Sequence, residues 1–120
     1  MDHSVTIYHK ELAGGRWREL SLCEQLANVG SEISRALNWR NKGNPDYSRE
    51  AVYRALELLD FTLDSVAATE SEYRFCRLRE IARVREAVVD FFMGSNQFDS
   101  TEALWRKYFD YFAHAARKNR

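Results

Sequence analysis

Residues 69–94, TESEYRFCRLREIARVREAVVDFFMG, constrain the fold of this chain more than any other stretch. Turned at about 100° per residue, Leu78, Ile81, Ala82, Val88, Val89 and Phe92 fall on one side, the apolar stripe of a helix packed on a core. Thr69 and Glu72 have the spacing of a capping box, in which the hydroxyl accepts from a free backbone N–H and the carboxylate reaches back. Gly94 suits the left-handed residue that stops a helix. Arg85 falls close to the middle of the apolar stripe, with Arg74 on the same bearing nearer the helix start. A guanidinium among apolar side chains is costly unless it is paired and hydrogen-bonded. The stripe therefore predicts an ion pair between Arg85 and a carboxylate of an adjacent helix, with Glu32, Asp60 and Asp64 as candidates. An anionic ligand held by Arg85 is the competing use of that position.

Three more segments carry helical periodicity. Ser21 and Glu24 repeat the capping-box spacing, and Leu22, Leu26, Val29, Ile33, Leu37 and Arg40 step three or four apart until Gly43. Gly30 inside this run costs about 1 kcal/mol against alanine, which close approach by a neighbouring helix would justify. Gln25 and Glu32 share one edge of the stripe, with Trp39 near it. Asn44-Pro45 reads as a cap followed by a first helical residue that has no N–H to lose. Val52, Ala55, Leu56, Leu59, Leu63 and Val66 form the inner stripe of the second helix, with Glu57, Asp60 and Asp64 on a flank and Phe61 turned outward. A fourth helix, capped by Asp99 or Ser100, spreads Leu104, Trp105, Tyr108, Phe109, Tyr111, Phe112, Ala115 and Ala116 over about half its circumference, wider than the ~100° stripe that a bundle core covers.

The expected fold is all-α: one domain, an antiparallel four-helix bundle with helices at about 20–41, 45–67, 70–93 and 100–117 joined by short connections. The alternation in Ser4-Val5-Thr6-Ile7-Tyr8-His9, closed by Gly14-Gly15, adds a short extended N-terminal arm over residues 1–18 that lies on the bundle or pairs with another copy.

Lys plus Arg and Asp plus Glu both number 18, so no net field draws the chain to nucleic acid or to an anionic membrane. No window approaches the ~20 apolar residues of a membrane span. The start of the chain lacks the basic and apolar regions of a signal peptide, and the two cysteines, Cys23 and Cys76, have no ligand-like neighbours. A cytoplasmic location with reduced thiols follows as the expectation.

Catalytic patterns are sparse. Glu57-Leu58-Leu59-Asp60 has the ExxD form that MazG-type all-α nucleotide pyrophosphohydrolases use for a divalent cation. In the first helix, however, Asn28 and Ser31 occupy the places of that family's two glutamates, and Glu32 is one residue out, turned about 100° away. No metal site is expected; Glu57 and Asp60, with Glu32, are the residues a degenerate hydrolase of this type would use. A di-iron bundle needs inward Glu-x-x-His pairs, and none of His3, His9 and His114 has a glutamate three residues before it. HEPN-type ribonucleases place an arginine four to six residues before a catalytic histidine, a spacing that Arg106 and His114 do not match. The basic residues of the third helix, Arg74, Arg77, Arg79, Arg83 and Arg85, are interleaved with Glu70, Glu72, Glu80, Glu86 and Asp90, a charge-laced face rather than an RNA-binding stripe.

Two local runs, Asn28-Val29-Gly30-Ser31-Glu32 and Arg54-Ala55-Leu56-Glu57-Leu58-Leu59, and the expected helix lengths carry a resemblance across residues 20–118. The chain resembles the small bacterial four-helix-bundle proteins of ribosomal-RNA intervening sequences, whose relatives include the accessory variability proteins of diversity-generating retroelements. The resemblance implies ring-like or smaller homo-oligomers and, in some members, nucleic acid bound on a basic surface. The neutral charge and the N-terminal arm depart from that pattern, and no functional residue carries over. The reading is a non-enzymatic bundle without a cofactor, self-associating through Phe61, Trp105, Phe109 and Phe112. A degenerate hydrolase and an RNA-binding bundle are the alternatives.

Overall fold

The computed structural model describes residues 15–118, and these form four α-helices: α1 (Leu22–Asn41), α2 (Pro45–Ala68), α3 (Arg74–Met93) and α4 (Glu102–Lys118). The all-α expectation holds, and the extended arm expected over residues 4–9 lies outside the described residues. Residues 16–18, assigned to that arm, instead belong to the body of the protein. Arg16–Glu19 make a 3-10 turn entered through Gly15 at φ 114°, a left-handed backbone that favours glycine. Trp17 of this turn is fully buried. Its indole Nε1 donates to Thr62 Oγ1 at 3.0 Å, Thr62 donates in turn to the Leu58 carbonyl at 2.8 Å, and Gln25 Nε2 donates to the Trp17 carbonyl at 2.9 Å. A large apolar side chain and a short polar relay thus hold the turn against α1 and α2.

The start of α1 follows its sequence signal. Glu24 N–H donates to Ser21 Oγ at 3.1 Å, and Ser21 N–H donates to Glu24 Oε1 at 2.9 Å. At the far end, Gly43 takes φ 77° while Gly43 N–H bonds Arg40 O and Asn44 N–H bonds Trp39 O, the paired bonds of a Schellman stop. Asn44 Oδ1 then accepts from Tyr47 N–H at 3.1 Å, and Pro45 opens α2.

α3 departs from expectation at both ends. Thr69 does not cap it: α2 runs on to Ala68, and the Thr69 hydroxyl donates backwards to Ser65 O at 2.8 Å. α3 begins only at Arg74, after a turn in which Tyr73 N–H reaches Ser71 Oγ. Gly94 is extended, with φ −111°, rather than left-handed. Asn96 and Asp99 carry the positive φ values, and the Asp90 carboxylate holds the loop by accepting from Gln97 and Phe98 N–H. The cap of α4 is Thr101, whose Oγ1 accepts from Leu104 N–H at 3.1 Å, one residue beyond the expected Asp99 or Ser100.

Close backbone packing joins α1 to α2, α1 to α4 and α2 to α3, so the helices lie in the spatial order α4, α1, α2, α3. α3 and α4 do not approach one another comparably. The extents of 41 × 39 × 27 Å fit this opened arrangement. The α1–α4 seam is close at Gly30: a Cβ built there would sit 2.6 Å from Phe109 Cβ, so the glycine lets the two helices meet. Arg106 stitches the same seam, donating to Ser34 Oγ, Asn38 Oδ1 and Glu102 Oε1. Glu102 is held below the ordinary carboxylate range by the hydrogen bond from Arg106 and then by that from Asn41. The shared core is drawn mainly from α1 and α2, with Val29, Ile33, Ala36, Ala51, Ala55 and Leu59 inaccessible or nearly so. α3 contributes only two fully buried side chains, Ile81 and Val88.

Candidate functional site

The carboxylates and arginines pair differently from the order that periodicity implies. Glu32 is buried, at 6% exposure, but its partner is not Arg85. Arg54 Nε donates to Glu32 Oε2 at 2.7 Å from α2, and Arg35 Nη1, one turn on along α1, donates to Oε1. Arg85 is paired with Asp60, one of its expected partners: Nε donates to Oδ1 at 2.7 Å and Nη2 to Oδ2 at 3.3 Å. That pair sits at the rim, the Arg85 side chain being 36% exposed and that of Asp60 51%. The pair expected of Arg85 is therefore present, half-buried and with Asp60 as the partner among the three candidates. Ile81 and Val88 on either side of Arg85 are buried, but the Arg85 side chain itself reaches out to the α2–α3 rim. Asp64 is exposed on the α2 flank.

These pairings also bear on cation binding. Both Glu32 oxygens face guanidinium groups, and Asp60 is turned to Arg85, so neither converges with Glu57 on a common point. Among the described residues no group of three or more His, Cys, Asp or Glu side chains is placed to hold a metal ion. The exposed face of α3 mixes Arg79 and Arg83 with Glu80 and Glu86.

The aromatic residues of α4 divide into two sets. Trp105 and Phe109 are core residues, stacked with ring centroids 6.1 Å apart and facing α1, which corrects their assignment to an outer surface. Phe61 is half-buried against the core, because α2 is an inner helix with α1 and α3 on its flanks. Phe112, Tyr108, Tyr111 and Leu104 make the second set. They line an open groove of about 610 Å³ between α3 and α4, together with Trp105, Ser100, Glu80 and Lys107. Leu104 and Tyr111 stand on its lip at 57% and 67% exposure. Tyr108 bridges the groove, its hydroxyl donating to Glu80 Oε1 at 3.1 Å. Burial, and then the Glu80 charge beside it, push the Tyr108 phenol above its ordinary value. Trp105 Nε1 is a buried donor with no acceptor among the described residues.

Two features had no sequence signal strong enough to find them. One is the buried Gln25, which ties Trp17 O and Leu20 O to Ser65 Oγ through Nε2. Its place on the stripe edge was readable; its partners, eight and forty residues away, were not. The other is Arg40, exposed at the opposite end, whose guanidinium lies 4.7 Å from the Phe91 ring centroid. Only the return of α3 past the end of α1 brings that contact about.

No family model matches the chain, and neither the characterised proteins nor the solved structures contain a match to it. No helix among the described residues is long and apolar enough to cross a membrane.

Proposed function

We propose that this chain is a non-enzymatic helical module that works by self-association, a second copy of the chain seating in the groove between α3 and α4. The observation that carries the reading is the composition of that groove. It is bordered by Leu104, Tyr108, Tyr111 and Phe112, and its charged side chains are one acid, Glu80, and one base, Lys107, on opposite helices. A two-fold axis across such a groove sets Lys107 of each copy near Glu80 of the other while the aromatic lips interdigitate. A net charge of zero means that two copies do not repel one another as a whole. The resemblance of residues 20–118 to bundles that form homo-oligomers supports the same reading. Cys23 and Cys76 are both free thiols, in keeping with a reducing, cytoplasmic setting.

Size-exclusion chromatography with light scattering tests this directly. The full chain is expected to elute as a dimer or larger at tens of micromolar, and Leu104→Asp or Tyr111→Asp to elute as a folded monomer. Lys107→Glu should weaken association, and Glu80→Lys combined with it should restore part of the loss. A wild-type monomer at that concentration, or association unchanged in both groove variants, overturns the proposal.

A further inference from the structure

Leu104 and Tyr111 stand exposed on the α4 wall of the α3–α4 groove, with Tyr108 and Phe112 beside them. A continuous apolar surface of this kind marks a place of contact. The fourteen residues that precede Gly15 carry an apolar run outside the four helices, Val5, Ile7 and Tyr8. Reach, spacing, charge and concentration decide whether the run and the groove belong together.

The chain enters the bundle at Gly15, two residues before the buried Trp17 that donates to Thr62. Val5 lies ten residues before Gly15, a span of up to about 33 Å when extended. The shortest dimension of the molecule is 27 Å, so the run can reach the groove from its anchor. In an extended chain Val5 and Ile7 fall on one side, about 6.7 Å apart. Leu104, Tyr108 and Tyr111 follow one another at three or four helical residues, a rise of about 4.5–6 Å each. Two apolar side chains of the run therefore fit between successive side chains of the wall. The groove holds one acid, Glu80, and one base, Lys107; the run is followed by Lys10-Glu11, a counterion for each. Finally, a tether of residues 10–14 keeps the run near the groove at an effective concentration on the order of millimolar. A second copy at about 10 µM is roughly a hundred times more dilute, so the chain's own segment has the advantage.

We infer that residues 4–9 lie in the α3–α4 groove of their own chain and compete there with a second copy, so that the N-terminal segment restrains self-association. The inference rests on the groove being the contact surface between copies, as proposed above. A two-fold contact needs both grooves open. If about one third of the molecules have an open groove, association is weakened about tenfold.

Sedimentation equilibrium of the full chain tests the competition. Val5→Ser combined with Ile7→Ser is expected to associate about tenfold more tightly than wild type, whereas Thr6→Ser, on the other side of the alternation, matches wild type. Unchanged association in the double variant overturns the inference and leaves the groove as the contact between copies. Weaker association overturns it too, by placing the run in the groove of the other copy. If neither chain associates, the reading of the groove as a self-association surface falls, and a second measurement still decides where the run lies. A nitroxide is attached at Thr6→Cys in an isotope-labelled chain carrying Cys23→Ala and Cys76→Ala. Dilution into excess unlabelled chain ensures that nuclear magnetic resonance reads only the label's own molecule. The resonances of Leu104, Tyr108 and Tyr111 are expected to broaden while that of Tyr47, at the start of α2, stays sharp. Sharp resonances along the groove overturn the inference.

Discussion

α1 and α3 are both twenty-residue helices, and they are held in opposite ways. α1 is packed on two sides, against α2 and α4, capped at both ends, and close enough to α4 that only a glycine fits at the crossing. α3 packs its backbone closely on α2, meets α1 and α4 only through side chains such as Phe91 and Glu80, starts without a cap, stops on an extended glycine and buries two side chains fully. α3 is therefore the helix least tied to the rest by backbone packing, and the groove proposed as a contact surface lies between it and α4, walled by α4 and by Glu80 of α3. Elements that bind are drawn from the less stable part of a fold, and here that part is a single helix with one face uncommitted.

Substitutions on the tight side should have the largest effects. Trp17→Ala removes a fully buried indole and the donor to Thr62, and is expected to lower stability by about 3–5 kcal/mol in urea melts. A loss under about 1 kcal/mol would mean that the turn is not part of the cooperative core. Gly30→Ala is next and reverses the usual sign. A glycine inside a helix ordinarily gains about 1 kcal/mol on becoming alanine. Here the new methyl meets Phe109 Cβ, the rigid root of a side chain, and the α1–α4 seam must open at an expected net cost of about 1–3 kcal/mol. A rise in melting temperature would show that the seam is looser than described.

The two ion pairs give a comparison of intermediate size, one on each side of the molecule. Glu32→Ala removes a buried carboxylate and strands Arg54 in a half-buried position, for an expected loss of about 2 kcal/mol. Asp60→Ala frees Arg85 at a solvent-open rim, where an ion pair contributes roughly 0–1 kcal/mol. Paired thermal melts check the order; equal losses would place Arg85 in an environment as dry as that of Glu32.

Much of this architecture could be read from local patterns, because local chemistry decides it. The Ser21–Glu24 box, the Asn44-Pro45 start, the close approach at Gly30 and the four amphipathic runs each depend on residues within one or two turns. The misreadings arose where a distant segment decides. Thr69 and Glu72 have capping-box spacing, but α2 outlasts them and takes the hydroxyl. The stripe through Arg85 is real, yet the side chain reaches out to Asp60 at the α2–α3 rim, and periodicity is silent on that reach. The same applies to the aromatic breadth of α4: half of it faces α1 through Gly30, and only Leu104, Tyr108, Tyr111 and Phe112 are left over. Of the packing at the start of α1, only the edge position of Gln25 was visible, since Trp17 and Ser65 reach Gln25 through the fold.

The smallest effect at neutral pH is also the most informative about the open side. Tyr108→Phe loses one hydrogen bond to Glu80 at a partly open site, for an expected loss under about 1 kcal/mol near pH 7. At alkaline pH the wild type and the variant should diverge in slope. Unfolded, the phenol titrates near its ordinary 10.0; folded, burial and then the neighbouring Glu80 charge keep it protonated above that. From about pH 10 upward the unfolded chain therefore binds fewer protons than the folded one, and stability falls as pH rises. The contribution is complete below pH 10 and is lost as pH climbs towards the folded value. The Phe variant lacks this component, so wild type should lose stability relative to it between pH 9 and 11, the other tyrosines cancelling in the difference. Parallel curves would mean that Tyr108 is as wet as the exposed Tyr111. If a second copy covers the groove, Tyr108 is drier still in the dimer, and its ionisation, followed by ultraviolet absorbance, should move to higher pH as protein concentration rises. A concentration-independent titration would leave α3 with its open face and no copy of the chain upon it.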